Sequence, residues 1–192
     1  MGIRTFIAFS VDPDLQLRRV IDELSQIGPS VRISGSSTLH LTLRFLGETA
    51  EESVSELIRI LNEVAAEFTA VDAAMSGLGV FPDMKKPSVV WVGVKELRTL
   101  VTLQTDLESR LIMAGWSPDK RVYRPHITVA RGNLRRRRTP DLLFELLDRH
   151  TTTDFGTVHL DRIVLYQSEL SSGGASYTSL YQSVLHGPGV RE

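Results

Sequence analysis

The chain has 192 residues, of which 42% are hydrophobic and 23% charged, and its formal net charge is −1. That near-neutrality gives no global attraction for nucleic acid, so any such contact must come from a local patch. The absence of cysteine excludes disulfides and thiol chemistry and removes the usual structural zinc sites. The opening run Met1-Gly2-Ile3-Arg4-Thr5-Phe6-Ile7 is too short and too interrupted for a signal peptide. Position 6 lacks the Ser or Thr that myristoylation of Gly2 requires. No run of about 18 apolar residues predicts a transmembrane helix, and a cytoplasmic protein is expected.

In chain order, residues 4–11 read as a strand and Asp12-Pro13 as a helix cap and first turn. Leu17, Val20, Ile21, Leu24 and Ile27 then recur at helical spacing until Gly28-Pro29. A strand over 38–46 follows, and Thr49-Ala50-Glu51-Glu52 reads as a capping box for a helix carrying Val54, Leu57, Ile58, Leu61, Val64 and Phe68. A strand over 71–79 ends the first half. The second half repeats the order: a strand at Val89–Val94, a helix with Leu97, Leu100, Leu107 and Leu111 ending at Gly115, a strand from Tyr123 to Arg131, a helix over 140–149 capped by Thr139-Pro140, and strands near 158–167 and 176–185. The repetition suggests an internal duplication. Without a Gly/Ser-rich linker between the halves, we expect one bilobal α+β unit over residues 1–192, its halves related by an approximate two-fold axis.

Two segments carry the same chemistry. His40-Leu41-Thr42-Leu43 and His126-Ile127-Thr128-Val129 both read His, apolar, Thr, apolar, 86 positions apart. On a strand, His and Thr two apart share one face while the apolar pair shares the other. Each segment therefore buries an apolar row and presents an imidazole beside a hydroxyl. Two imidazoles in one cleft, one protonated and one neutral, are the minimum equipment for general acid–base chemistry on a phosphate. The hydroxyls would meet charge that grows on the non-bridging oxygens.

The other histidines have structural readings: His150 near a helix C-terminus, His159 in a strand without an evident polar partner, and His186 in a Gly/Pro-containing tail. Neither motif is followed by an acidic residue at metal-ligand spacing, since Glu48 is expected at a turn, so zinc is not expected. There is also no Gly-x-Ser-x-Gly elbow, Walker loop or dinucleotide fingerprint.

The paired motifs, with Arg4-Thr5-Phe6-Ile7-Ala8-Phe9, Leu39–Glu48, Val90-Trp91-Val92-Gly93-Val94, Tyr123–Arg131 and Leu165-Tyr166-Gln167-Ser168-Glu169-Leu170 in that order, resemble the 2H phosphoesterase superfamily. Within it, the chain is similar to the RNA 2′,3′-cyclic phosphodiesterases, formerly named 2′-5′ RNA ligases. The resemblance implies an α+β bilobal fold, two antiparallel sheets facing across a central cleft with helices outside. It implies hydrolysis of a terminal 2′,3′-cyclic phosphate to a 2′-phosphate without metal or cofactor. In that scheme His126 is the proton acceptor, His40 the proton donor, and Thr42 and Thr128 hold the phosphate. The implied partners are RNA ends with 2′,3′-cyclic phosphates or cyclic nucleotides, and a monomer is expected. A 2′-5′ ligase or phosphodiesterase, and a non-catalytic RNA-end binding protein, are the alternatives.

Strict alternation puts Arg44 on the His40 face and Arg124 on the His126 face. Arg131, five residues after His126, is out of phase unless the strand bulges, yet the resemblance favours it as the phosphate contact, with Arg124 as the in-phase alternative. Arg135-Arg136-Arg137-Arg138 reads as a solvated loop or as an RNA-backbone contact. Phe9, Phe45, Tyr123 and Tyr166 are either core residues or stacking partners for a terminal base.

Overall fold

The computed structural model describes residues 2–35, 38–95, 97–132, 141–171 and 174–187. The Arg135–Arg138 run and the expected Thr139-Pro140 cap lie outside them. Among the described residues the elements are β1 (Gly2–Ser10), α1 (Leu15–Ser25), β2 (Val31–Ile33), β3 (His40–Ala50), α2 (Val54–Glu67), β4 (Val71–Phe81), β5 (Val89–Val94), α3 (Arg98–Met113), β6 (His126–Gly132), α4 (Asp141–Arg149), β7 (Asp154–Leu160), β8 (Arg162–Ser171) and β9 (Gly174–Val184).

The strands run in the order β7-β4-β5-β6-β3-β1-β8-β9, with β2 paired to β6, and the described pairings are antiparallel. The two sheets expected from the sequence are thus two four-stranded halves of one continuous path. They meet at β3 and β6 through a single paired position, Leu41 with Ile127. The duplicated β-α-β-α-β order is present as β1-α1-β3-α2-β4 and β5-α3-β6-α4-β7. The halves exchange strands, however: β4 pairs with β5 and β7, whereas β8, beyond the second unit, pairs with β1.

Helices cover one face. Leu17, Val20 and Leu24 of α1, Leu57, Ile60, Leu61 and Val64 of α2, and Leu100, Leu103, Leu107 and Leu111 of α3 are all buried. They join Ile7, Phe9, Leu41, Leu43, Ile127 and Val129 from the sheet in one apolar cluster. Each such side chain contributes about 1.5–3 kcal/mol by leaving water. Phe6, Ala8 and Val164 are also buried but lie outside that cluster. By strand alternation they sit on the opposite face of the sheet, the one that carries the motif histidines.

Several local expectations shift. The cap of α1 is Asp14, whose carboxylate accepts from Leu17 N at 2.8 Å, rather than Asp12. Thr49 caps no helix: β3 runs to Ala50, and the Thr49 hydroxyl lies 2.6 Å from that of Thr5 across the β1–β3 pair. Glu48 is in β3, opposite Arg4 and exposed, rather than at a turn. The expected strand over 158–167 is two strands, β7 and β8, separated at Asp161. Strand β2 had no counterpart in the sequence reading. No described helix is long and apolar enough to cross a membrane.

Candidate active site

His40 is the first residue of β3 and His126 the first of β6. The one bridge between the halves pairs Leu41 with Ile127, each the residue between His and Thr of its motif. An antiparallel pair has a local two-fold axis between directly opposed residues, so this bridge sets the two motifs about a local two-fold. Continuing the register sets His40 across from Thr128 and Thr42 across from His126. Opposed side chains in such a pair start about 5 Å apart and diagonal ones about 7–8 Å. The two imidazoles are therefore diagonal neighbours on one face.

Each ring is fixed in the same way. His40 Nδ1 donates to Thr38 O at 2.7 Å, and His126 Nδ1 donates to Arg124 O at 2.6 Å. A carbonyl oxygen only accepts, so Nδ1 carries the proton in both rings and Nε2 is left for a ligand. His186 makes the same bond to Val184 O at 2.8 Å, so the anchor alone marks no site. The convergence of two anchored rings does.

Aromatic rings bracket each imidazole from the strands alongside. His40 packs against Phe6 and Tyr177, with centroids 5.0 and 5.1 Å away, and Tyr166 lies 6.2 Å off. His126 lies edge-on to Phe81 at 5.0 Å and to Trp91 at 6.2 Å. Phe81, Trp91 and Tyr177 were missed as site residues because they are remote in sequence and read as ordinary strand positions. Of the expected stacking candidates, Phe9 is core. Tyr166 belongs to the His40 cluster, and Phe45 and Tyr123 line the cleft.

Both imidazoles are harder to protonate than usual. Burial, opposed by the bond to Thr38, takes His40 down to about 4, with the charges of Arg131 and His126 adding to the drop. Burial and Arg131 lower His126 as well, against the bond to Arg124. The expectation of one protonated and one neutral ring is therefore corrected for the free protein, in which both are neutral at pH 7. An anionic ligand must bring the proton-binding potential with it.

The arginines divide sharply. Arg44 is buried and structural. Its Nε lies 2.8 Å from Glu108 and its NH1 3.3 Å from Asp119, while NH2 donates to Ser117 O. It holds the segment after α3 against β3 and is committed to carboxylates. Arg131 is exposed, and its charge reaches both imidazoles. The phase problem is resolved by a bulge: β5 pairs Val90 with Ala130 and Trp91 with Thr128, leaving Val129 as the extra residue. The same device recurs at the equivalent place in β3, where Ile7 pairs with Arg44, Ala8 with Thr42, and Leu43 is extra. Each bulge re-aims the strand beyond the motif, so Arg131 and its counterpart Phe45 come to the cleft. Arg124 precedes β6 instead of lying in it; it is exposed and also lines the cleft.

The cleft is a cavity of about 790 Å³ reached by Thr42, Phe45, His126, Thr128 and Arg131. A second cavity of about 430 Å³ lies on the His40 side, against Thr38 and Tyr177, and shares Arg131 with the first. Among the described residues no three His, Asp or Glu side chains are grouped as a metal site would need. His150 bonds Thr153 at 3.1 Å, and His159, against expectation, has a partner in Asp72 at 2.7 Å.

Residues 11–171 match the family model of the 2′-5′ RNA ligase superfamily. The chain belongs to that superfamily. Within this superfamily it is 33% identical to an RNA 2′,3′-cyclic phosphodiesterase of Aeropyrum pernix, covering 87% of this chain and 93% of that one. It is 29% identical to the protein of the same name from Methanothermobacter thermautotrophicus, covering 94% and 97%. Among solved structures, the TT0787 protein of Thermus thermophilus superposes with a TM-score of 0.78 at 25% identity, covering 97% of this chain and 100% of that one. The superfamily match spans both motifs and every element except β1 and β9.

Proposed function

We propose that the protein is an RNA 2′,3′-cyclic phosphodiesterase that opens a terminal 2′,3′-cyclic phosphate to a 2′-phosphate, on RNA ends or cyclic nucleotides, using two histidines and no metal. The observation that carries this reading is the pair of imidazoles set about a local two-fold axis, each with Nδ1 tied to backbone and Nε2 free. Curated relatives of that name, similar over nearly their whole length, support the same assignment.

The chemistry follows from the placement. Nε2 of His126 takes a proton from the attacking water as its oxygen bonds to phosphorus. The bond from phosphorus to the 3′-oxygen breaks, and Nε2 of His40 gives that oxygen a proton. The products are a 3′-hydroxyl and a 2′-phosphate, and the two rings exchange protonation states, to be reset through solvent. The direction of transfer follows the resemblance to the family, since the two-fold makes the rings geometrically alike. Thr42 and Thr128 donate to the non-bridging oxygens, and Arg131, with Arg124 at the rim, offsets the phosphate charge. A bound phosphate anion beside His40 raises its proton affinity from the low value of the empty site, so one proton enters with the substrate.

The test is turnover of a nucleoside 2′,3′-cyclic phosphate with EDTA present. His40→Ala and His126→Ala each lose about 10²–10⁴-fold, the usual contribution of a positioned acid or base. Undiminished turnover in either variant removes the site.

A further inference from the structure

Strand β2 places Arg32 directly opposite Arg131 of β6. Directly opposed residues of an antiparallel pair share one face of the sheet, and like charges there repel. Among the described residues neither guanidinium has a carboxylate partner, although other arginines, such as Arg44, Arg59 and Arg110, each have at least two. Two unneutralised arginines facing each other are a standing cost in the empty protein, and an anion between them removes it.

The space for that anion is present. Both arginines line the cavity of about 430 Å³ on the His40 side. Its remaining polar wall is made of hydroxyls, Ser30, Ser34 and Thr38, and its floor includes Tyr177, the ring packed against His40. Guanidinium groups interleaved with small hydroxyl donors, and no carboxylate among the described residues of the wall, form a phosphate-binding surface. The cavity communicates with the reaction centre through Arg131, which belongs to both cavities and sits three residues beyond Thr128, roughly 10 Å along a strand rising about 3.3 Å per residue.

We infer that this cavity is a subsite for a second phosphate of the substrate, the one on the 5′ side of the terminal nucleoside, with Arg32 as its recognition residue. The inference rests on the proposed activity and narrows it: the preferred substrate is a strand end carrying a further phosphate, and an isolated nucleoside cyclic phosphate fills only part of the site. Arg131 bridges the scissile phosphate and its neighbour, while Arg32 touches the neighbour alone.

The experiment compares adenosine 2′,3′-cyclic phosphate, its 5′-phosphorylated form, and the dinucleotide ending in the same cyclic phosphate. Each is assayed with the wild-type chain and with Arg32→Gln. The wild type shows about tenfold or more higher kcat/KM on the two substrates with the extra phosphate, chiefly through KM, because the contact is the same in ground and transition states. Arg32→Gln removes most of the advantage of both extended substrates, Arg131 keeping the remainder, and leaves turnover of the nucleoside cyclic phosphate unchanged. Its Tm is equal to or above wild type, since a repulsion has been removed. Equal kcat/KM on all three substrates with the wild type, or an advantage undiminished in Arg32→Gln, overturns the subsite. Absence of turnover on every substrate would instead overturn the phosphodiesterase reading itself, so the two failures are distinguishable.

Discussion

His40 couples the acid limb of stability to the site. The residue is 6% exposed, and its proton affinity falls from the ordinary 6.5 to about 4 on folding. Below pH 6.5 the unfolded chain binds a proton at this position and the folded chain does not, so stability falls with acidification until pH 4, where both states are protonated. At about 1.4 kcal/mol per tenfold in proton affinity, the full effect is about 3 kcal/mol, a large part of the 5–15 kcal/mol typical of a folded domain. Replacing His40 by Asn keeps a neutral N–H donor near Thr38 O and removes the titration. The packing lost by truncation is independent of pH and cancels in the slope. Urea unfolding of both proteins at intervals from pH 7.5 to 4 gives the stability difference directly. The wild type should lose about 3 kcal/mol relative to His40→Asn across that range, with nearly all of the change below pH 6.5. A difference that stays level would show that the folded protein accepts the proton without penalty, and the account of two neutral rings in the empty site would fail.

The same protonation states set the rate profile. kcat/KM reports the free enzyme, in which both rings titrate below the ordinary 6.5 and in which the proposed mechanism requires a protonated His40; on that mechanism it falls close to tenfold per pH unit above pH 6.5, while kcat stays flatter because bound phosphate raises His40. A profile measured from pH 5.5 to 8.5 that peaks at 7 or above contradicts this. Gly79 lies opposite Trp91, and a Cβ there would collide with the indole that stands edge-on to His126. Gly79→Ala should cost about 1–3 kcal/mol in stability, as overpacking does, and lower kcat more than it raises KM. A variant with wild-type Tm and kcat would show that the ring can yield freely.

Much of this site is written in short-range sequence pattern. The period-two motif fixes which atoms share a face, and the spacing of apolar residues locates the helices that cover the other face. The tie from each Nδ1 to the carbonyl two residues earlier is equally local, yet it depends on the backbone turning into the strand just before the histidine, which composition does not reveal. Strand β2 was invisible because three residues are too few to show alternation. Thr49-Ala50-Glu51-Glu52 has the letters of a capping box, but the hydroxyl of Thr5, brought alongside by β1, gives Thr49 a partner inside the sheet. Alternation sets Arg44 on the His40 face, but the bulge at Leu43 pairs it with Ile7 of the helix-covered face, where Glu108 of α3 and Asp119 of the segment after it reach the guanidinium.

The bulges show most clearly where alternation stops being sufficient. A bulge has no residue signature when the extra position is an ordinary apolar residue such as Leu43 or Val129, so period-two counting carried past it sets Arg131 out of phase with the cleft. It falls at equivalent places in both motif strands, so it is part of the pattern the two motifs share. What differs between the copies is the residue it delivers to the cleft, Phe45 in one and Arg131 in the other. The two-fold thus supplies a matched pair of imidazole and hydroxyl groups, and the divergence just beyond the bulges breaks it. One lobe contributes an apolar ring and the other a cation. On the proposed mechanism, a symmetric pair of imidazoles then receives an asymmetric substrate in a single orientation, which a hydrolysis needing one acid and one base requires.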